Sequence, residues 1–295
     1  MQIKAFKARI VAELEASLIA DFSREEAVSE ANAEAARLLC KVLKKDKSFL
    51  FSHSDYQLTV EQLEELERIL QRRLLGEPLS YIFNEQEFWS LPFYVDRNVL
   101  IPRADTECIV EAALNLAIVD NATVVDLGTG SGAIAIVLQR EKPSWQVFAS
   151  DQSFAALNVA NKNIAELCKD RQGPSLFCGD WLDAVQDDSV DLLVSNPPYI
   201  EFGDNNIASL THAEPSSALY SDRQGTADLQ QILVQALRCT KVGAWVLLEH
   251  GAAQSAVVNG LAEKMFYKNK NFVNPQVVLD LSGRKRAFLA QVTCG

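Results

Sequence analysis

Over roughly the first 80 residues, apolar positions recur at three- and four-residue intervals and show no strand-like alternation. Residues 1–18, MQIKAFKARIVAELEASL, break their apolar face with Glu13 and Glu15, as an amphipathic helix does and a signal peptide does not. Ser23-Arg-Glu-Glu26 has capping-box spacing ahead of an Ala-rich stretch that runs to about Leu43. Thr59-Val-Glu-Gln62 repeats the device before EELERILQRRLL, and Gly76 falls where that helix should stop. Leu63, Leu66, Ile69, Leu70 and Leu74 form one stripe, so this segment is expected to pack on other helices. The pattern predicts a small helical domain over 1–84.

From Glu87 to Asp96 the text turns aromatic and alternating, EFWSLPFYVD, which predicts a β-hairpin linker over 85–100 with its Leu-Pro near the turn. After Val110 and a short helical stretch, the pattern becomes strand, loop, helix, repeated. Strands are expected at 123–128, 146–151, 175–179, 191–196 and 244–250, with two more near 276–281 and 287–292. Helical stretches fall around 153–167, 226–239 and 252–266. Alternation of this kind implies an α/β, doubly wound and mostly parallel sheet over 101–295, with ligands at the strand C-terminal ends. The last two strands are joined only by Ser282-Gly-Arg-Lys-Arg286, too short for a parallel crossover, so the final strand should run antiparallel.

Composition narrows the partners. The chain has 295 residues, 48% hydrophobic and 23% charged, the balance of a soluble globular protein with a sizeable core. Lys and Arg number 28 against 39 Asp and Glu, a net charge of −11, which is the wrong sign for holding nucleic acid through phosphate contacts. No apolar run approaches the ~20 residues that span a bilayer. Six cysteines contain no C-x-x-C pair, so neither a zinc site nor any other metal centre is expected, and reduced thiols in the cytoplasm are the simplest reading. Arg37, Lys41, Lys44, Lys45 and Lys47 make a basic run in this acidic chain; it reads either as a solvated helix face or as a docking patch for a protein partner.

The first β-to-α turn of the sheet reads Asp126-Leu-Gly128-Thr129-Gly130-Ser131-Gly132-Ala133. Glycines here permit a tight turn and close approach of a ligand to backbone N–H groups at a helix start. Gly128-x-Gly130-x-x-Ala133 satisfies the dinucleotide fingerprint, while Gly128-x-Gly130-x-Gly132 resembles the S-adenosylmethionine (SAM) loop of class I methyltransferases. Asp151 closes the next strand, where a carboxylate can accept from ribose hydroxyls; both cofactors need that acid.

Asn196-Pro197-Pro198-Tyr199 ends the fourth strand, facing the same crevice. An Asn amide offers a donor and an acceptor, Pro197 leaves its carbonyl free, and Tyr199 offers a flat, partly apolar wall. Together they suit a planar substrate –NH2 whose two protons are held while its nitrogen faces a methyl group. Asn-Pro-Pro-Tyr after a glycine-rich loop resembles the amino methyltransferases. Five further segments narrow the resemblance to the PrmC/HemK family, the protein-(glutamine-N5) methyltransferases of peptide chain release factors. They are Gly76-Glu-Pro-Leu-Ser-Tyr81, Leu100-Ile-Pro-Arg103-Ala-Asp105-Thr-Glu107, Glu214-Pro215-Ser-Ser-Ala-Leu219, Glu249-His-Gly251 and Asp280-Leu-Ser-Gly283-Arg-Lys-Arg286. Two departures stand out: Ala104 occupies a position where the family usually has Pro, and the segment before Asp180 is slightly long.

The resemblance implies a SAM-dependent enzyme that methylates the Gln of the Gly-Gly-Gln motif of class I release factors and leaves S-adenosylhomocysteine. It puts cofactor contacts on Gly128, Thr129, Gly130, Ser131, Gly132, Asp151, Trp181 and Asn196. The substrate clamp falls on Asn196, Pro197, Pro198 and Tyr199, with Asn196 and Pro197 carrying the chemistry. It makes the N-terminal helices a partner-binding domain. His53, His212 and His250 lie outside the clamp and are read as structural. Three alternatives remain: an adenine-N6 nucleic-acid methyltransferase, which would need a basic channel; a nicotinamide oxidoreductase, which leaves the clamp unexplained; and a module that binds SAM without turnover.

Overall fold

The computed structural model describes residues 1–19, 22–204 and 213–294; His212 lies outside them. The chain divides into two compact units, the first running to Asn84 and the second starting at Glu85.

The first unit holds α1 (Ile3–Leu18), α2 (Arg24–Leu43), α3 (Lys47–Ser52), α4 (Val60–Leu74) and α5 (Leu79–Phe83). Both capping boxes form: Ser23 and Thr59 each accept from the backbone three residues on, and Glu26 and Gln62 reach back to the cap N–H. Helix α4 ends at Leu74, and Gly76 takes a φ of +91° just beyond. Leu66, Ile69 and Leu70 are buried against Phe6, Ile10, Leu14 and Leu38, with Leu63 and Leu74 partly so. The same face carries a charge that the apolar stripe did not announce. Arg73, only 2% exposed, donates from Nε to Glu34 Oε2 at 2.8 Å and from Nη2 to Oε1 at 3.0 Å. The basic run is not a uniform solvated face either. Arg37, half-buried, and Lys41 lie over the Phe83 ring at 5.8 and 5.7 Å and Lys45 over Phe49 at 5.4 Å, while all four lysines of the run remain exposed.

The second unit begins with the hairpin β1 (Gln86–Phe88) and β2 (Leu91–Phe93). Its turn is Trp89-Ser90, with φ of +52° and +57°, directly before Leu91-Pro92; Pro92 sits in the second strand opposite Glu87. A two-residue hairpin of this hand needs two left-handed residues. Here Trp89 is held there by its N–H donating to Glu107 Oε1 (2.7 Å) and its indole to Glu141 (3.0 Å). Phe88 and Phe93, edge to face at 6.0 Å, belong to the core beside the sheet, so the hairpin is built into this unit.

Then follow α6 (Glu107–Leu114), β3 (Thr123–Leu127), α7 (Ala133–Glu141), β4 (Gln146–Asp151), α8 (Phe154–Leu167), β5 (Ser175–Cys178) and β6 (Val190–Ser195). The chain closes with α9 (Asp222–Gly225), α10 (Ala227–Cys239), β7 (Thr240–Glu249), α11 (Ser255–Ala262), β8 (Lys270–Leu279) and β9 (Lys285–Cys294). Helix α6 starts before Val110 rather than after it, and α11 is shorter than the expected 252–266. The seven-stranded sheet has the order β5-β4-β3-β6-β7-β9-β8. It is parallel from β5 to β7, and β9 runs antiparallel to both its neighbours, as the short final link requires. The winding reverses between β3 and β6, which places a crevice at their C-terminal ends. Leu127 pairs with Ser195, so the next residues, Gly128 and Asn196, leave the sheet side by side. Among the described residues no helix is long and apolar enough to cross a membrane.

Candidate active site

Glycine at 128 is required twice over. Its φ is +65°, and a Cβ there would stand 3.3 Å from Cζ3 of Trp181, so the missing side chain lets the indole close over the loop. Gly132 caps α7 at φ +83°, where a Cβ would meet Ile136 Cδ1 at 3.1 Å and Ala160 at 3.3 Å; this glycine seats α7 against α8. The loop is tied to the protein around it. Thr129 N donates to Ser150 O (2.9 Å), Gly130 N to Asp151 Oδ2 (3.0 Å) and Gly132 N to Thr129 O (2.8 Å). The Thr129 hydroxyl donates to Asp126 Oδ2 at 2.6 Å, and Asn163 on α8 holds the Ser131 carbonyl at 2.8 Å. Most loop N–H groups are therefore already spent, and the loop meets a ligand through its shape more than through free donors.

Burial pushes the Asp126 carboxyl up to about 7, against the pull of the Thr129 hydroxyl. Asp151 is also raised by burial. Its two oxygens accept from Gly130 N and from Ser153 N (2.9 Å), which uses two of about four lone-pair sites and leaves the others for a ligand.

An open cavity of ≈ 960 Å³, solvent at its mouth included, lies over the C-terminal ends of β3, β4 and β6. Gly128, Thr129, Gly130, Ser131, Asp151, Trp181, Asn196 and Pro198 line it. Gly132, Pro197 and Tyr199 are not among the lining residues. Gly132 is turned toward the helix packing just described. Tyr199 points its hydroxyl to Glu249 Oε1 at 3.0 Å, and its carbonyl accepts from Gln254 at 2.9 Å. Its hydroxyl and carbonyl are thus committed to contacts behind the cavity lining. Pro197 is buried directly behind Asn196. The indole of Trp181, half-buried with a backbone φ of +45°, forms one wall of the cavity.

Residues 18–83 match the PrmC N-terminal domain and residues 106–216 the methyltransferase small domain. A release factor glutamine methyltransferase of Shewanella oneidensis is 40% identical over 240 residues, 81% of this chain and 83% of that one. Another, from Vibrio cholerae, is 39% identical over 260 residues, 88% of each chain. The chain belongs to the release factor glutamine methyltransferase family. Among solved structures, a methyltransferase from Pyrococcus furiosus aligns with a TM-score of 0.51 at 14% identity, covering 76% of this chain and 98% of that one. That likeness carries the fold alone, a class I methyltransferase fold.

The family segments of the second unit that were named from sequence are joined by contacts that sequence did not show. Arg103 pairs with the buried Glu214, which also accepts from Ile101 N at 3.2 Å. Arg286 Nη2 bridges Asp105 (2.7 Å) and Asp280 (2.9 Å). Asn196 Nδ2 donates to Thr106 Oγ1 at 3.1 Å. Burial pushes Glu249 up to about 7 against the hydroxyls of Thr106 and Tyr199 and the Arg286 guanidinium. Thr106 and Glu249 lie 143 residues apart, and nothing in their spacing along the chain hints that they act together. Ala104, at the family's usual Pro, opens a short 3-10 turn (Ala104–Thr106), a first-turn position that tolerates either residue. His53 stacks on Phe49 (4.4 Å) in the helical unit. His250 is fully buried, its Nδ1 2.8 Å from the Gly251 carbonyl, and burial pushes its pKa down.

Proposed function

We propose that this protein transfers a methyl group from SAM to the side-chain N5 of the Gln in the Gly-Gly-Gln motif of class I peptide chain release factors, working in the cytoplasm. The observation that carries the reading is the pairing of Leu127 with Ser195, which brings the glycine loop and Asn196 to one cavity mouth. The cavity suits the cofactor. Asp151 keeps free lone pairs for ribose hydroxyls, and the Trp181 indole offers a purine an apolar face. Gly128 to Ser131 would follow the cofactor's outline, and Gly132 would act from behind by holding α7. Bound SAM supplies an electrophilic methyl on a sulfonium.

An amide nitrogen is a poor nucleophile because its lone pair is delocalised. Asn196 Oδ1 and the Pro197 carbonyl would accept the two amide protons and so hold the nitrogen in line with the methyl, within about 3–3.5 Å. The same acceptors stabilise the positive charge that develops on nitrogen. The proton then leaves to water. Pro198 lines the cavity beside this clamp, and Tyr199 braces it through Glu249. The first unit, residues 1–84, would bind the release factor away from the Gln, with Lys44 and Lys47 as exposed contacts.

Methyl incorporation from labelled SAM tests the reading on three substrates: a class I release factor, its Gln→Ala loop variant and a DNA duplex. Label is expected on the intact factor alone; label on DNA would transfer the clamp to adenine, and no label would overturn the reading. A Lys44→Glu, Lys47→Glu variant should raise KM for the factor without lowering kcat. Asp151→Ala should weaken SAM binding by about 10- to 100-fold, the equivalent of ~1.5–3 kcal/mol for hydrogen bonds to a charged group. Calorimetric titration checks this, and unchanged affinity would remove Asp151 from the cofactor's contacts.

A further inference from the structure

An Asn side chain has two ends, and only one orientation serves the clamp. Oδ1 must face the cavity to accept a substrate N–H, so Nδ2 must be held elsewhere. Here Nδ2 donates to Oγ1 of Thr106, which is 4% exposed and lines the same cavity. A threonine hydroxyl alone cannot choose the orientation, because it can donate as well as accept. Glu249 removes the ambiguity. Its Oε1 is taken by the Tyr199 hydroxyl, while Oε2 is buried and makes no hydrogen bond of ordinary geometry. The Thr106 hydroxyl is one of the groups that favour its charged form. An ionised carboxylate only accepts, and leaving a buried acceptor without a donor is costly. A Thr106 proton turned to that buried oxygen leaves only lone pairs for Asn196, the direction in which the Nδ2 to Oγ1 bond runs.

We propose that Thr106, directed by Glu249, is a positioning residue that locks the Asn196 amide with its carbonyl oxygen toward the methyl acceptor. The proposal rests on the glutamine-methylation reading above. Its parts come from three distant places in the chain: the start of α6, the end of β6 and the end of β7.

The test is methylation of a release factor at about pH 8, above the Glu249 value of about 7, so that the carboxylate is ionised. Thr106→Val keeps the shape and removes the hydroxyl. It should lower kcat about tenfold, ~1.4 kcal/mol of barrier, with SAM affinity within about twofold of wild type. Thr106→Ser should restore most of the rate. Glu249→Gln, whose amide can donate to Thr106 and free its proton for Asn196, should lose turnover in the same way; this variant carries the test should Thr106→Val not fold. In an Asn196→Ala background, Thr106→Val should cost less than about twofold more, since it acts through the residue already removed. Full turnover in Thr106→Val, equal losses in both backgrounds, or no rescue by Ser would overturn the proposal. Failure of the wild type to label the factor would instead bring down the reading on which it rests.

Discussion

Asn196→Ala should lower kcat on a release factor by about 10²–10³-fold, comparable to removing one preorganised polar group from a site of developing charge. Asn196 stands one residue beyond Ser195, whose hydroxyl donates to Leu127 O at 2.8 Å and anchors the strand end next to the glycine loop. Its amide is therefore held directly at the end of an anchored strand, and its contribution is realised as the substrate nitrogen gains charge. Interactions that strengthen only in the transition state appear in kcat and not in ground-state binding. SAM affinity should stay within about threefold, because Asp151, Trp181 and the loop remain in place. Single-turnover labelling together with calorimetric SAM titration separates the two quantities. A variant that turns over normally, or one that loses SAM binding and turnover in equal measure, would remove Asn196 from the clamp.

Arg73→Ala should be the most damaging substitution in the helical unit, at about 3–5 kcal/mol, because it strands a carboxylate inside the protein. Arg73 and Glu34 side chains are 3% and 11% exposed and share three hydrogen bonds of 2.8–3.0 Å. Even with its partner present, burial raises the Glu34 pKa above the ordinary carboxylate value. Replacing both residues with Met should be close to neutral, since neither charge is then desolvated. Hydrogen exchange of the α2 and α4 amides in the full chain reads the difference; exchange about a hundredfold faster or more is expected in the single variant. The pH dependence has a definite sign. An acid whose folded pKa lies above its unfolded one binds more protons when folded, so stability falls as pH rises through that interval. In Arg73→Ala the interval widens upward, and lowering the pH from about 7 to about 5 should recover part of the lost protection. Wild-type exchange rates in Arg73→Ala would mean that the pair carries no net stability.

Local patterns carried the elements well. Both capping boxes formed where Ser23 and Thr59 predicted them, and β4 spans the same 146–151 that its apolar run suggested. The antiparallel final strand followed from the length of one link. The hairpin is legible in the alternation, but its two turn residues are not, because neither Trp89 nor Ser90 is a usual left-handed residue. Its conformation is imposed by Glu107 and Glu141, which lie far along the chain. Arg73 on the apolar face of α4 has no local sign of its pairing, because its partner is 39 residues away on α2.

At the site, residue types and spacing sufficed to pick out the glycine loop, Asp151 and Asn196 as groups at the ends of strands β3, β4 and β6. They did so because backbone turns, strand ends and helix starts are local events that a few adjacent residues dictate. Where the side chains point was decided only by the tertiary structure. Gly132 turns to helix packing, Tyr199 is drawn to Glu249, and Asn196 is fastened to Thr106, 90 residues earlier. Such contacts join strand ends distant in sequence, and their hydrogen bonds are selected by burial, which leaves no periodic trace along the chain.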